Sequence, residues 1–242
     1  KRKKRPTPKP HQLEAVDAVE KGFNDAERGQ LIMACGTGKT FTQLWVKERL
    51  SAKLTLVLVP SLSLLSQTLR EWTFAANTPF NVLCVCSDQS VGKRTQEDAT
   101  IHSVKELPFP VTSKVEEIES FLEGDGHKVI FSTYQSSSLI AESQRNNDAP
   151  IFDLVVADEA HRCTGKVDSS FTVVLDNQKI KAKRRLFATA TPRTYSSSLK
   201  KQSSEKGVEV ASMDDTEVFG REFYTLNFGK AIELGELTDY QI

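Results

Sequence analysis

No run of about 18 apolar residues, the length a membrane-crossing helix needs, occurs in the 242 residues, and no apolar segment follows the basic start as a secretion signal requires. The expectation is a cytoplasmic protein with no membrane partner. An excess of charge is missing too, since 32 Lys and Arg balance 32 Asp and Glu. Any affinity for nucleic acid must then come from a local stripe of cations. The densest run, Lys1 to Arg5, reads as a solvated tail or entry linker, with a phosphate-contacting arm as the alternative. Cysteine is scarce. Cys35, Cys84, Cys86 and Cys163 form no C-x-x-C pair and have no histidine at metal spacing, which argues against a zinc site or a disulfide framework. Cys84 and Cys86 alternate along a candidate strand, so they share a face and pack as small apolar groups. His11, His102 and His127 are read as structural or exposed.

At 38% hydrophobic and 26% charged, the chain is ordinary in composition and long enough for one well-filled domain but not for a second. Apolar runs fit strands at Leu31 to Ala34, Leu54 to Val59, Val82 to Cys86, Val129 to Ser132, Leu154 to Ala157 and Arg185 to Ala188. Between them Leu13, Val16, Val19 and Phe23 recur at helical spacing. So do Leu62, Leu65, Leu69 and Trp72, and then Val115, Ile118, Phe121 and Leu122. Strands alternating with amphipathic helices predict an α/β fold, a parallel sheet with helices on both faces. Ser87 to Pro110 is polar and long enough to be a functional or mobile loop. Tyr195 to Gly207 reads as an exposed helix or loop, and Val208 to Met213 and Phe223 to Phe228 as short peripheral strands. The expected division is a basic tail or linker at 1–8, one domain at 9–228 and an exit linker at 229–242.

Residues 33 to 40 read M-A-C-G-T-G-K-T, directly after an apolar run and before a helical pattern. Cys35, Gly36, Thr37 and Gly38 can close backbone N–H groups around phosphate oxygens. Lys39 adds positive charge toward the β/γ-phosphates, and the Thr40 hydroxyl can ligate Mg²⁺. Cys35, inside this loop, is expected to be sensitive to alkylation. Further on, D-E-A-H at 158 to 161 ends a buried apolar run. Asp158 suits a metal ion at a strand end, and Glu159 beside it is placed to take a proton from an attacking water. ATP and Mg²⁺ are the cofactors this pairing implies.

The strict phosphate-loop pattern wants glycine where this chain has Met33. The compressed loop resembles motif I of superfamily 2 helicases and translocases, and D-E-A-H resembles their motif II. Lys9-Pro10-His11-Gln12 is similar to the upstream segment in which a glutamine reads adenine, so the resemblance assigns that role to Gln12; otherwise Gln12 is a polar first-turn residue of a helix. Val59 to Gln67 resembles motif Ia, and Phe131 to Ser136 a second strand end that contacts nucleic acid. Ser61, Gln67, Thr133 and Gln135 are the candidates there, with helix capping as the other use of such residues. Ala188-Thr189-Ala190-Thr191-Pro192 resembles motif III. It implies that Thr189 and Thr191 bond near His161 and couple the γ-phosphate to the nucleic-acid face, unless the threonines only satisfy backbone groups.

Across most of its length the chain thus looks like the N-terminal RecA-like lobe, a P-loop NTPase fold, of a DEAH-box superfamily 2 motor. Its motif set is most similar in look to restriction-enzyme translocases, type I and single-chain type I-like. The resemblance implies double-stranded DNA as substrate, a second RecA-like lobe, and nuclease or methyltransferase domains elsewhere. No later segment resembles the Q-x-x-G-R-x-x-R motif of a second lobe. Lacking the arginines such a lobe supplies, worth about 10³ to 10⁵ in rate, the chain alone is expected to bind Mg·ATP weakly and turn it over very slowly. Two other classes stay open at this point, a nucleotide-gated binding module and a small-molecule kinase.

Overall fold

The computed structural model describes residues 4–86, 109–146, 148–166, 169–196, 198 and 210–238. The expected loop at 87–110, apart from Phe109 and Pro110, lies outside the described residues. So do residues 1–3, His102, most of 195–207, residues 208–209 and 239–242.

The described residues hold ten strands: β1 (Arg28–Met33), β2 (Leu54–Val59), β3 (Asn81–Val85), β4 (Val111–Thr112), β5 (Lys128–Thr133), β6 (Leu154–Asp158), β7 (Gly165–Lys166), β8 (Arg185–Thr189), β9 (Val210–Ala211) and β10 (Arg221–Leu226). Eight form one sheet in the order β10-β1-β8-β6-β2-β5-β3-β4, and every pairing in it is parallel. β7 and β9 pair separately and antiparallel. Side-chain alternation sorts the strand residues onto two faces. Leu31, Met33, Val57, Val59, Phe131, Val156 and Leu186 join one cluster with α1 (Pro10–Gly22), α2 (Lys39–Arg49) and α3 (Leu62–Ala75). Leu56, Leu58, Ile130, Val155 and Phe187 join the other with α4 (Val115–Glu123) and α5 (Ser137–Ser143). The predicted double-sided cover is therefore the observed one, and Cys84 and Cys86 lie together in the first cluster.

The strand expected at Leu31 begins at Arg28, because polar residues are hidden inside it. The Arg28 guanidinium donates to the carbonyls of Leu175 (2.9 Å) and Val218 (2.6 Å), and Gln30 Nε2 to those of Met213 and Gly220 (both 2.8 Å). Arg185, opening β8, is buried more completely than Arg28. Its side chain donates to the carbonyls of Val174, Ile180 and Ala182, and burial first, then Arg28, brings its pKa down to about 10.

Two expectations near the carboxyl end change. The strand expected at Phe223 to Phe228 runs Arg221–Leu226 and is the edge strand of the main sheet beside β1, held there because α1 covers both. In the segment expected to be an exit linker, Phe228–Glu233 is a helix capped by the Asn227 side chain, which accepts from Lys230 N. Leu237 beyond it is packed against the first core cluster.

β10 is launched by Gly220 at φ 74°, where an added Cβ would lie 2.2 Å from the Arg28 carbonyl oxygen. Both the backbone region and the contact exclude a side chain. Gly220→Ala is expected to lower the unfolding free energy by about 2–4 kcal/mol, seen as an earlier denaturant midpoint with unchanged slope.

A candidate nucleotide and metal site at the carboxyl ends of the strands

Because the sheet is parallel, the turns after β1, β2, β5, β6 and β8 open on one edge, where ligands bind in folds of this kind. The chain leaves β1 through the tight turn 34–38. Its closure is local: Thr37 N and Thr37 Oγ1 both donate to Ala34 O, at 3.2 and 2.7 Å. Gly36 and Gly38 stand at φ 84° and 85°, and a Cβ on Gly38 would meet Gln12 Nε2 at 2.2 Å. Lys39 then starts α2, whose first turn is fixed from α3 by Trp72 Nε1 donating to Thr40 O at 3.0 Å.

Lys39 Nζ bridges both candidate carboxylates, at 2.6 Å from Glu159 Oε1 and 3.3 Å from Asp158 Oδ1. Burial works against its charge, but Asp158 and Glu159 outweigh that and raise its pKa. Burial would likewise raise the Glu159 carboxyl, yet hydrogen bonds from His161 and Lys39 bring it down to about 2. Glu159 is also one of two described non-glycine residues at positive φ, 50° with ψ 45°. Such a conformation costs about 1–3 kcal/mol and persists where its surroundings impose it.

Gln43, which the sequence reading overlooked, donates from Nε2 to Asp158 Oδ1 at 2.8 Å. Its Oε1 is buried without a hydrogen-bond partner among the described residues. Gln43 lies three residues after Thr40 on α2, so helical spacing from Thr40 is the signal that could have found it. His161 Nδ1 lies 3.0 Å from Thr189 Oγ1 and 3.3 Å from Glu159 Oε2. Thr191 joins through its backbone, its N–H donating to Thr189 Oγ1 at 3.1 Å, while its side chain is exposed. Thr189 thus meets both His161 and a backbone group.

Gln12 is buried. Its Oε1 accepts from Lys9 N (2.8 Å), and its Nε2 donates to the carbonyls of Thr37 (3.2 Å) and Gly38 (3.3 Å). His11, read from sequence as structural or exposed, is structural: its Nε2 faces Thr37 O at 2.9 Å and its Nδ1 faces Glu236 Oε1 at 3.3 Å. Glu236 also pairs with Lys9, so the segment after the last helix is strapped to the phosphate loop. Nothing in the sequence pattern pointed to Glu236.

Of the candidate nucleic-acid residues, Ser61, Thr133 and Gln135 lie at or just after strand ends on this edge, and Gln67 lies inside α3. Ser61 caps α3, accepting from Leu64 N at 3.3 Å. Gln67 is exposed and bonds Glu71, and Gln135 is exposed with Nε2 3.5 Å from Pro60 O. Thr133 is buried with its hydroxyl on Ser136 Oγ, so in this conformation its side chain does not face solvent.

Of the four cysteines only Cys35 is exposed. Burial pushes the thiols of Cys84 and Cys163 up to about 12, far from the reactive thiolate. Iodoacetamide at neutral pH is therefore expected to modify Cys35 first, with ADP slowing that reaction, read by peptide mass spectrometry.

A parallel sheet with a glycine turn after β1 and paired carboxylates after β6 defines a RecA-like P-loop lobe of the superfamily 2 motor class. Residues 5–194 match the family described as "Type III restriction enzyme, res subunit", and the chain belongs to it. It is 31% identical over 233 residues to an African swine fever virus (isolate Pig/Kenya/KEN-50/1950) protein named "Probable helicase A859L", covering 96% of this chain and 23% of that protein. Two restriction enzymes are among the similar solved structures. The ATP-dependent Type ISP restriction-modification enzyme LlaBIII bound to DNA has TM-score 0.76 and 35% identity, over 98% of this chain and 16% of that one. A nuclease-deletion mutant of the Type ISP enzyme LlaGI with a DNA substrate mimic has TM-score 0.73 and 32% identity, over 96% and 21%. The chain thus spans about a quarter or less of the proteins it matches. Among the described residues no helix is long and apolar enough to cross a membrane.

Proposed function

We propose that this chain is the ATP-binding lobe of a DNA translocase in a restriction-modification or defence enzyme, coupling Mg·ATP hydrolysis to movement along duplex DNA. The observation that carries the reading is the Lys39 bridge to Asp158 and Glu159 at the mouth of the phosphate loop, with His161 and Thr189 behind it. The residues fit Mg·ATP. Gly36 and Gly38 hold the turn that presents backbone N–H groups, and Gln43 Oε1 beside Asp158 is a buried acceptor with no partner among the described residues. Magnesium supplies Lewis-acid neutralisation of phosphate charge when bound.

In this reading Lys39 leaves the carboxylates for the β/γ-phosphates. Asp158 and Thr40 would hold the metal, with Asp158 oriented by Gln43. Glu159 would lose one of the two partners that depress its pKa, become a better base and take the proton of the attacking water. Gln12 keeps a lone pair on Oε1 for an exocyclic amine such as adenine's. His161 and Thr189, with Thr191 through its N–H, relay the change along β8. Ser61, Gln67 and Gln135 line the edge offered to DNA, and Thr133 shapes the turn beneath it.

Relatives four to six times longer make a second RecA-like lobe, and nuclease or methyltransferase domains, part of the same proposal. The test is ATPase activity of the two-lobe protein with and without linear duplex DNA, with displacement of a third strand as the readout of movement. Stimulation by duplex together with displacement is expected. An ATPase indifferent to DNA would instead favour a nucleotide-gated module or a small-molecule kinase.

A further inference from the structure

Tyr134 is a buried polar side chain that the scheme above leaves unused. It directly follows β5, is fully buried, and its hydroxyl donates to the main-chain oxygen of Asp158 at 2.7 Å. That oxygen belongs to the peptide unit joining Asp158 to Glu159. Since the unit is planar, holding its oxygen fixes the direction of the Glu159 N–H, and with it one of the two planes between which the Glu159 φ is set. This is the residue held at φ 50° with its carboxylate between Lys39 and His161. A left-handed glutamate needs something to impose the conformation, and the Tyr134 hydroxyl sits where it can do so.

The ring is fixed in turn. It stacks on Phe171 with centroids 5.1 Å apart and planes at 28°, so the hydroxyl has little freedom to follow Asp158 if the backbone of either partner moves. The backbone of Tyr134 lies in the short turn Tyr134–Ser136, which carries the exposed Gln135 and touches the β2 exit through Pro60 O. One side chain therefore joins an exposed turn on the strand-end edge to the peptide that sets the candidate base. The route is separate from the His161–Thr189 contact.

We propose that Tyr134 is a positioning residue, holding Glu159 in its left-handed conformation through the Asp158 carbonyl and passing to it the state of the exposed Gln135 turn. The proposal rests on the translocase reading, in which that turn faces DNA.

The test is linkage in the two-lobe protein. Duplex affinity is measured with and without Mg·ATPγS, Mg·ATPγS affinity with and without duplex, and kcat and KM for ATP with duplex present. Binding coupling is reciprocal, so the wild type should show the same factor in both directions. In Tyr134→Phe the ring and its stacking remain and the donor is gone. The coupling factor should fall to about one and kcat by about 10- to 100-fold, with KM and both separate affinities within about twofold. A residue that only filled the core would change stability without this split.

Wild-type coupling and kcat in a folded Tyr134→Phe protein would overturn the proposal and leave the translocase reading intact. If Tyr134→Phe does not fold, Phe171→Leu decides, because it loosens the ring and keeps the hydroxyl. Reduced coupling there supports the role, and unchanged coupling overturns it. A wild-type protein that binds no duplex would overturn the translocase reading itself, and this role with it.

Discussion

Glu159→Gln should lower ATP turnover by about 10²- to 10⁴-fold, the usual loss on removing a general base, while nucleotide binding is retained. An amide of the same shape can keep a contact with His161 and meets no new obstacle at φ 50°, since Glu159 already bears that strain. It cannot accept a proton from water. It also gives up the charge that holds Lys39 at 2.6 Å in the resting site, so Lys39 is freer to meet phosphate and affinity should stay level or rise. Steady-state kcat in the two-lobe protein, set beside ATPγS affinity, separates the two effects. Normal turnover would remove Glu159 from catalysis, and lost binding would make it structural.

Lys39→Ala should do the reverse, removing nucleotide affinity by about 10- to 100-fold through loss of one charge-assisted contact. Its cost to the fold also has a definite sign with pH. Glu159, held down to about 2, contributes stability fully present above the ordinary carboxylate range near 4.5 and lost as pH falls through about 2. Lys39, raised above 10.5, contributes stability present below that value and lost only above its folded pKa. The pair is therefore intact through neutral pH. Removing Lys39 leaves two adjacent, mostly buried carboxylates without it, so the variant should lose about 1–3 kcal/mol near pH 7. That difference should narrow below pH 4.5, although His161 still holds part of the Glu159 shift. Urea unfolding of both proteins at pH 7 and pH 3.5 measures it, and equal losses at the two values would contradict the ion-pair account.

The strands buried on both faces were legible because their apolar runs are nearly continuous, as in Leu54–Val59 and Leu154–Asp158. Strands that hide polar side chains were read short: Arg28 and Gln30 in β1 and Lys128 in β5 find backbone carbonyls that no sequence pattern announces. The parallel sheet covered on both faces followed from the alternation of strands and helices, and its RecA-like character from the resemblance of the motifs. Motif residues were legible for a different reason, since phosphate loops and strand-end acids are local in sequence. Lys39, Asp158 and Glu159 do converge, and so do His161 and Thr189.

What stayed hidden are the contacts made by residues distant in sequence and ordinary in type. Gln43 on Asp158, His11 on Thr37 and Glu236 on His11 depend on how α1, α2 and the carboxyl-terminal segment pack together. Thr133 shows the opposite failure. It sits where a strand-end contact was expected, but both faces of β5 are covered and its hydroxyl is turned onto Ser136 Oγ.

The central claim, that this chain holds Mg·ATP between its phosphate loop and Asp158, is tested most directly by calorimetric titration of ATPγS into the chain at low salt, with Mg²⁺ and again with EDTA. One site is expected with Mg²⁺, weaker by at least about tenfold when the metal is chelated, as loss of a metal bridge to phosphate requires. Binding of the same strength in EDTA, or to the Asp158→Asn variant in Mg²⁺, would contradict it.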